Sequence, residues 1–217
     1  MENIEKIDNS SAIDRKTDKA FIKAAEKLHI KHKEINRTMS LPFIMMLVGV
    51  IIAAFAIRQF IAEPTMVDGP SMQTTLMNRE RVFVEKVSYW FNEPERGDIV
   101  IVRYPNRVDR FVKRIIAMPG ETIEIKSDGF VYINDKKLDE SAYAGDWYGC
   151  LYQKVNTVGS VNGRYTVPEG YYFVIGDNRA DSHDSRDDDV GPIKACDVLG
   201  RVRSVVWPIN KIRSVSK

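Results

Sequence analysis

Leu41–Ile57 reads LPFIMMLVGVIIAAFAI, seventeen residues without a charge, and its reading decides how the rest of the chain is divided. Continued through Arg58–Ala62 it covers 22 positions, a helix of about 33 Å at ~1.5 Å per residue. A bilayer hydrocarbon core is about 30 Å thick. A transmembrane anchor over 41–62 is therefore expected, with Arg58 snorkelling at one end. A buried core helix is the competing reading, but few core helices run this long with so little polarity.

The flanks set the orientation. Lys23, Lys27, Lys31, Lys33 and Arg37 fall in the twenty residues before Leu41, whereas Arg58 is the one basic residue in the dozen after Ile57. The positive-inside rule then puts the N-terminus in the cytoplasm and Glu63 onward outside. A cleaved signal peptide would need a short basic leader, and forty polar residues precede this run; its Ala54-Phe55-Ala56 also lies deep inside the apolar stretch. Residues 1–40 read as a cytoplasmic tail. Phe21, Ala24, Ala25 and Leu28 recur there at helical spacing among lysines, a helix either solvated, the favoured reading, or resting on an anionic leaflet.

Composition excludes several function classes. The 217 residues carry 32 Lys+Arg against 30 Asp+Glu, so no nucleic acid partner is implied. At 44% hydrophobic and 29% charged the chain is not disordered as a whole. Cys150 and Cys196 form no CxxC, and His29, His32 and His183 no HExxH; no phosphate-binding or dinucleotide-binding glycine motif occurs. No metal and no cofactor is called for.

Glu63–Lys217, 155 residues, is strand-like throughout. Arg81–Val87 alternates, Asp98–Val102 is a short apolar run, and Phe111–Ile116 follows soon after. Thr122–Ile125 and Phe130–Ile133 flank Ser127-Asp128-Gly129, a hairpin signal. Tyr165–Val167, Tyr171–Ile175 and Val202–Val206 complete a domain expected to be mainly β and antiparallel, preceded by one helix in the membrane. Cys150 and Cys196 can form a disulfide or remain thiols, and both readings stay open. Tyr89-Trp90-Phe91 is equally open, as an interfacial aromatic anchor or a buried cluster.

Only His183 lies in this domain, in the polar Ser182-His183-Asp184, where a solvated imidazole is the expected state. A serine can instead be activated by a neutral lysine. Such a lysine needs apolar surroundings, which lower its pKa by up to ~3–5 units. Lys113, in Phe111-Val112-Lys113-Arg114-Ile115-Ile116, meets that requirement, though read alone it is also an ordinary strand lysine. By the period-two rule Arg114 points oppositely, toward solvent. Ser71 follows Gly69-Pro70 in a tight turn that exposes its hydroxyl and gathers backbone N–H groups. Gly176–Arg186, dense in Asp, Asn and Arg after an apolar strand, reads as a loop held by hydrogen bonds and an Asp–Arg pair.

In chain order these are an apolar anchor, Gly69-Pro70-Ser71-Met72, Arg96-Gly97-Asp98-Ile99-Val100, Lys113–Glu121 and Gly176–Arg186. The order resembles that of bacterial type I signal peptidases, in the single-anchor form of Gram-positive bacteria. The resemblance covers Leu41 to about Val206. It implies a Ser–Lys dyad endopeptidase at the cell membrane, single-pass and with its catalytic domain extracytoplasmic, that removes signal peptides from translocated preproteins with small residues at −1 and −3. Ser71 matches the nucleophile and Lys113 the general base. Ser182 matches the serine that orients the lysine, and Asp184 and Arg186 the supporting ion pair. Gly69 and the Ser71 amide match the oxyanion position, and the strand edge at Asp109, Phe111 and Val112 would take the substrate. The partners implied are preproteins, the lipid bilayer and a nearby secretion translocon.

The chain departs from that pattern in three places. Thr74 stands where proline is usual, Phe111 replaces a common tyrosine, and Asp187-Asp188-Asp189 enlarges the loop after Arg186. The triple Asp reads as a solvated loop. A variable cap is expected around 125–165, with Tyr143–Val161 matching nothing specific. Two other readings compete: a soluble self-cleaving Ser–Lys regulator, at odds with the anchor, and a membrane-tethered non-catalytic β scaffold.

Overall fold

The computed structural model describes residues 19–28, 40–145 and 154–215. Trp147, Cys150 and most of the N-terminal tail lie outside the described residues. The chain divides into two compact units, Met1–Phe55 and Ala56–Lys217. In the first, residues 19–28 and 40–55 are helical, and Phe21 and Leu28 are exposed. No helix among the described residues is long and apolar enough to cross a membrane.

The second unit opens on a π-helical turn, Ile57–Ile61. Ala62, counted with the anchor from the sequence, instead begins a strand, with φ −162° and ψ 149°. Pro64 explains the break, since proline holds its own φ and pushes the preceding residue toward extended backbone. The strands are β1 Ala62–Met66, β2 Arg81–Glu85, β3 Ile99–Arg103, β4 Arg110–Ala117, β5 Thr122–Ile125, β6 Val131–Ile133, β7 Lys136–Lys137, β8 Arg164–Thr166, β9 Tyr171–Ile175, β10 Ile193–Lys194, β11 Val198–Trp207 and β12 Arg213–Ser214. The main sheet runs β1-β2-β11-β3-β4-β9-β10, with β12 on β11; a second sheet runs β7-β6-β5-β8. Every pairing described is antiparallel, as expected of the mainly β reading. The β5–β6 hairpin pairs Ile123 with Ile133 and Ile125 with Val131 around the Ser127-Asp128-Gly129 turn.

The centre of the main sheet is covered on both faces. Along β3, Ile99 and Ile101 join one apolar cluster with Met72, Leu76, Val82 and Val202, while Val100 and Val102 join another with Tyr104, Ile115 and Val174. Period-two alternation thus feeds two cores, which is why Ile99–Val102 is apolar without interruption. A third cluster, built on Ile116, Ile123, Val131 and Phe173, joins the second sheet to β4 and β9. Of the aromatic triplet, Tyr89 is half-buried and donates its hydroxyl to Asp98 Oδ2 at 2.9 Å, whereas Trp90 and Phe91 are exposed. Cys196 is an exposed free thiol.

Leu76 is fully buried and belongs to the same cluster as Met72, so the segment carrying Ser71 is pinned to the core by apolar contact. Leu76→Ala is expected to lower unfolding stability by about 2–5 kcal/mol, measured by denaturant titration. A loss below ~1 kcal/mol would mean that the segment is held by its polar contacts alone.

Candidate active site

Strand β4 gains its second partner at Arg114, one residue past Lys113. Arg110–Arg114 pair with β3, and the pairing with β9 begins at Arg114 and runs to Ala117. Lys113 is 2% exposed, yet among the described residues no strand pairs with its second edge. Its Nζ donates to Ser71 Oγ at 2.8 Å. Burial pushes the amine down from its usual range to about 8; Asp184 works against this and Arg186 with it. A charge taken out of water without full compensation prefers to neutralise. The neutral amine has a lone pair to take the hydroxyl's proton.

Ser71 sits on the loop joining β1 to β2. Gly69 has φ +97°, a left-handed conformation that a side chain would strain. The Asn178 amide donates to Ser71 O at 3.1 Å and Asn178 Nδ2 to Pro70 O at 3.2 Å, tying this loop to the one after β9. The Gly69 amide, expected at the oxyanion position, donates to Asn78 Oδ1 at 3.2 Å. The Ser71 amide has no acceptor among the described residues. The site as it stands thus offers the second of the two expected donors.

The loop after β9 takes part in three buried ion pairs, Arg114–Asp177, Asp184–Arg186 and Glu140–Arg179. Arg114 Nε and Nη2 donate to Asp177 Oδ1 and Oδ2 at 2.8 and 2.7 Å, and Nη1 donates to Gly97 O at 2.8 Å. Arg114 is fully buried, which corrects the expectation that it faces solvent. Alternation did place it opposite Lys113, but Tyr143 covers that face, its ring centroid 3.9 Å from the guanidinium carbon. The second pair is the expected one. Arg186 Nε and Nη2 donate to Asp184 Oδ1 and Oδ2 at 2.7 and 2.9 Å, and the Gly176 amide donates to Asp184 Oδ2 at 3.0 Å. Burial pushes the Asp184 carboxyl up, but Arg186 and these hydrogen bonds outweigh it and hold the group below its ordinary value.

The Ser182 hydroxyl donates to Asp184 Oδ2 at 2.6 Å, and among the described residues no hydrogen bond joins it to Lys113. A carboxylate two residues away is the stronger acceptor for a single hydroxyl proton. His183 is exposed and lies 3.2 Å from Asp187 and 3.1 Å from Asp189. Within the triple Asp, Asp187 accepts the Asp184 amide and Asp189 pairs with Arg107. Among the described residues no group of His, Cys, Asp and Glu could hold a metal ion.

Beside Ser71 lies a groove of about 420 Å³ lined by Thr65, Met66, Met72, Ile101, Asp109, Phe111 and Val112, among others. It brings Asp109, Phe111 and Val112, the expected substrate edge, alongside Ser71. Phe111 is stacked on Tyr104 with ring centroids 4.1 Å apart. Sequence reading missed two contributors. Thr75 donates its hydroxyl to Asp177 Oδ2, and Glu140, from the segment after β7, pairs with Arg179, whose Nε donates to Gly176 O at 3.2 Å. Both link residues far apart in the chain, beyond any local pattern.

Residues 40–207 match the profile of the family described as signal peptidase, peptidase S26. Signal peptidase I of Bacillus amyloliquefaciens is 42% identical over 160 residues, 74% of this chain and 81% of that protein. Signal peptidase I S of Bacillus subtilis (strain 168) is 37% identical over 188 residues, 86% of this chain and all of that protein. Signal peptidase I of Bacillus licheniformis is 38% identical over 184 residues, 84% and 97% of the two chains.

Gly176 is where the two loops touch. A Cβ there would overlap the Ser71 carbonyl oxygen and the Ser182 side chain, and the backbone oxygen cannot rotate away. Gly176→Ala should move Ser71 relative to Lys113 and slow acylation of Ser71 by an activated ester by roughly 10²-fold, the scale of a ~1 Å misplacement. Mass spectrometry of the labelled serine reads it; an unchanged rate would show that the approach is not needed.

Proposed function

Because the chain belongs to the signal peptidase family, peptidase S26, and is therefore a serine peptidase that removes signal peptides from preproteins, we propose that Ser71 is its nucleophile and Lys113 its general base. The observation that carries this assignment is the 2.8 Å contact between Ser71 Oγ and a lysine amine buried to 2% exposure. A non-catalytic scaffold would have no use for a desolvated amine aimed at a serine hydroxyl. The alternative is not favoured.

The preprotein segment lies extended in the groove, between β1 near Thr65–Val67 and β4 near Asp109–Val112. β1 is an edge strand, and Arg110–Val112 pair with β3 alone, so both can donate and accept main-chain hydrogen bonds. Side chains such as Met72, Ile101 and Val112 leave room for small residues at −1 and −3. Neutral Lys113 takes the Ser71 proton as Oγ bonds to the −1 carbonyl carbon. The Ser71 amide donates to the oxyanion, a donor typically worth ~3–4 kcal/mol. The C–N bond then breaks, and Lys113 returns the proton to the leaving amine. Water, deprotonated by the same amine, attacks the acyl-enzyme; its proton returns to Ser71 Oγ as the ester bond breaks.

The Asp184–Arg186 and Arg114–Asp177 pairs serve this cycle by being internally neutral. An unpaired carboxylate near Lys113 would hold the ammonium charged. Ser182, bonded to Asp184, keeps lone pairs free to accept from Lys113 once that amine is protonated.

The enzyme is read as membrane-anchored and single-pass, with a cytoplasmic N-terminus, an extracytoplasmic catalytic domain and a position near a secretion translocon. Its span is the apolar run from Leu41, helical over residues 40–56 and continued by the turn Ile57–Ile61. The basic residues before Leu41 support this orientation. Met66, Phe83 and Trp207, exposed on neighbouring strands β1, β2 and β11, and Trp90 and Phe91 are suited to the headgroup zone.

Solubilised enzyme should cut an Ala-x-Ala preprotein after the −1 alanine, with Ser71→Ala and Lys113→Met each abolishing cleavage by mass spectrometry of the products. Below the Lys113 pKa of about 8 the base is protonated. Hence kcat/KM should climb about tenfold per pH unit up to that point and then level off. Cleavage that survives Lys113→Met, or a rate flat from pH 6 to 9, would remove Lys113 as the base.

A further inference from the structure

One deeply buried charge takes no part in this chemistry. Glu80, at the end of the nucleophile loop, is 2% exposed. Arg213 of β12 faces it with both arms of its fork: Nη1 donates to Oε1 at 2.9 Å and Nη2 to Oε2 at 2.8 Å. The hydrogen bonds from this guanidinium hold the Glu80 carboxyl below its usual range. Arg213 reaches further. Its Nη2 also donates to Thr75 O at 2.8 Å, and Glu80 Oε2 accepts the Met77 amide at 3.0 Å. β12 itself is seated on β11 through the pairs Arg213 with Val205 and Ser214 with Ser204.

Thr75 is where two lines of force meet. Its hydroxyl is bound by Asp177, which Arg114 holds, and Arg114 is the chain neighbour of Lys113. Its carbonyl is bound by Arg213. Thr75 follows Ser71 by four residues, within a turn in which the Leu76 amide donates to Met72 O at 2.9 Å. Held at the hydroxyl alone, this turn could pivot about the Asp177 contact. Held at the carbonyl as well, it is fixed against the sheet that carries the base.

We propose that Arg213 is a positioning residue for cleavage, which through Glu80 and the Thr75 carbonyl fixes the nucleophile loop so that Ser71 Oγ stays within reach of Lys113 Nζ. The inference rests on the assignment of Ser71 and Lys113 made above. Arg213 touches no reacting atom. Its planar fork donates in parallel to both Glu80 oxygens while Nη2 also holds the Thr75 carbonyl, a rigid geometry that the single nitrogen of a lysine ammonium does not reproduce.

The test compares wild type, Arg213→Lys, Arg213→Met/Glu80→Gln and Ser71→Ala, as full chains in detergent, for Tm, kcat and KM on an Ala-x-Ala preprotein. Arg213→Lys keeps a counter-charge for Glu80, so its Tm should stay close to wild type. Its KM should stay within about twofold, while kcat falls about 10–100-fold through misplacement of the nucleophile. The double variant removes both charges, and its kcat should stay low even where its Tm matches wild type. Wild-type kcat in either variant, or a rise in KM alone, would overturn the inference and leave Arg213 as the neutraliser of Glu80. Activity in Ser71→Ala would remove the nucleophile assignment itself, and the inference with it.

Discussion

The burial of one lysine amine governs this structure. An ammonium two per cent exposed is costly unless it is paired, and the side chain hydrogen-bonded to Lys113 is a neutral serine. The carboxylates that could hold its charge are engaged elsewhere, Asp184 with Arg186 and Asp177 with Arg114. Desolvation therefore prevails and brings the amine to about 8, where it can accept a proton near neutral pH. The rest of the site follows from keeping that balance.

The sheet supplies the burial. Because the middle of β3 and of β4 is covered on both faces, a polar side chain there is cut off from water and must find a partner inside. Lys113 finds Ser71; Arg114, one residue on and facing the other way, finds Asp177, Gly97 O and the Tyr143 ring. The two loops that carry Ser71 and Asp184 are then joined at Asn178, whose backbone amide donates to Ser71 O and whose Nδ2 donates to Pro70 O, with Gly176 allowing the close approach. Ser71, Lys113 and the ion pairs Arg114–Asp177 and Asp184–Arg186 form one connected polar network set in an apolar core. Such networks are costly when partly satisfied, and rigid when complete.

Much of this was legible in the chain because the signals are local. Alternation marked β2, unbroken apolar runs marked β3 and β9, and a turn between two strand-like segments marked the β5–β6 hairpin. The order of the serine, lysine and Gly-Asp-Asn segments indicated the family. What escaped depends on what covers a face rather than on which face a residue takes. Period two placed Arg114 opposite Lys113, yet could not say that Tyr143 would roof it. The Ser182 hydroxyl and the Gly69 amide were taken by nearer or better acceptors, Asp184 and Asn78. β1 was hidden by Pro64, tolerable there because the strand lies at an edge. The Glu140–Arg179 and Glu80–Arg213 pairs join residues 39 and 133 positions apart, and nothing in a linear pattern couples them.

The fold itself makes the Lys113 amine neutral at a pH where ordinary lysines are charged. A titration of that one amine by NMR reads this, with lysine labelled at the side-chain nitrogen and the Lys113 signal assigned by its loss in Lys113→Met. A midpoint near 8 is expected. A midpoint near ~10.4, the value of a lysine in water, would mean that the ammonium survives in the folded site and that burial does not neutralise it.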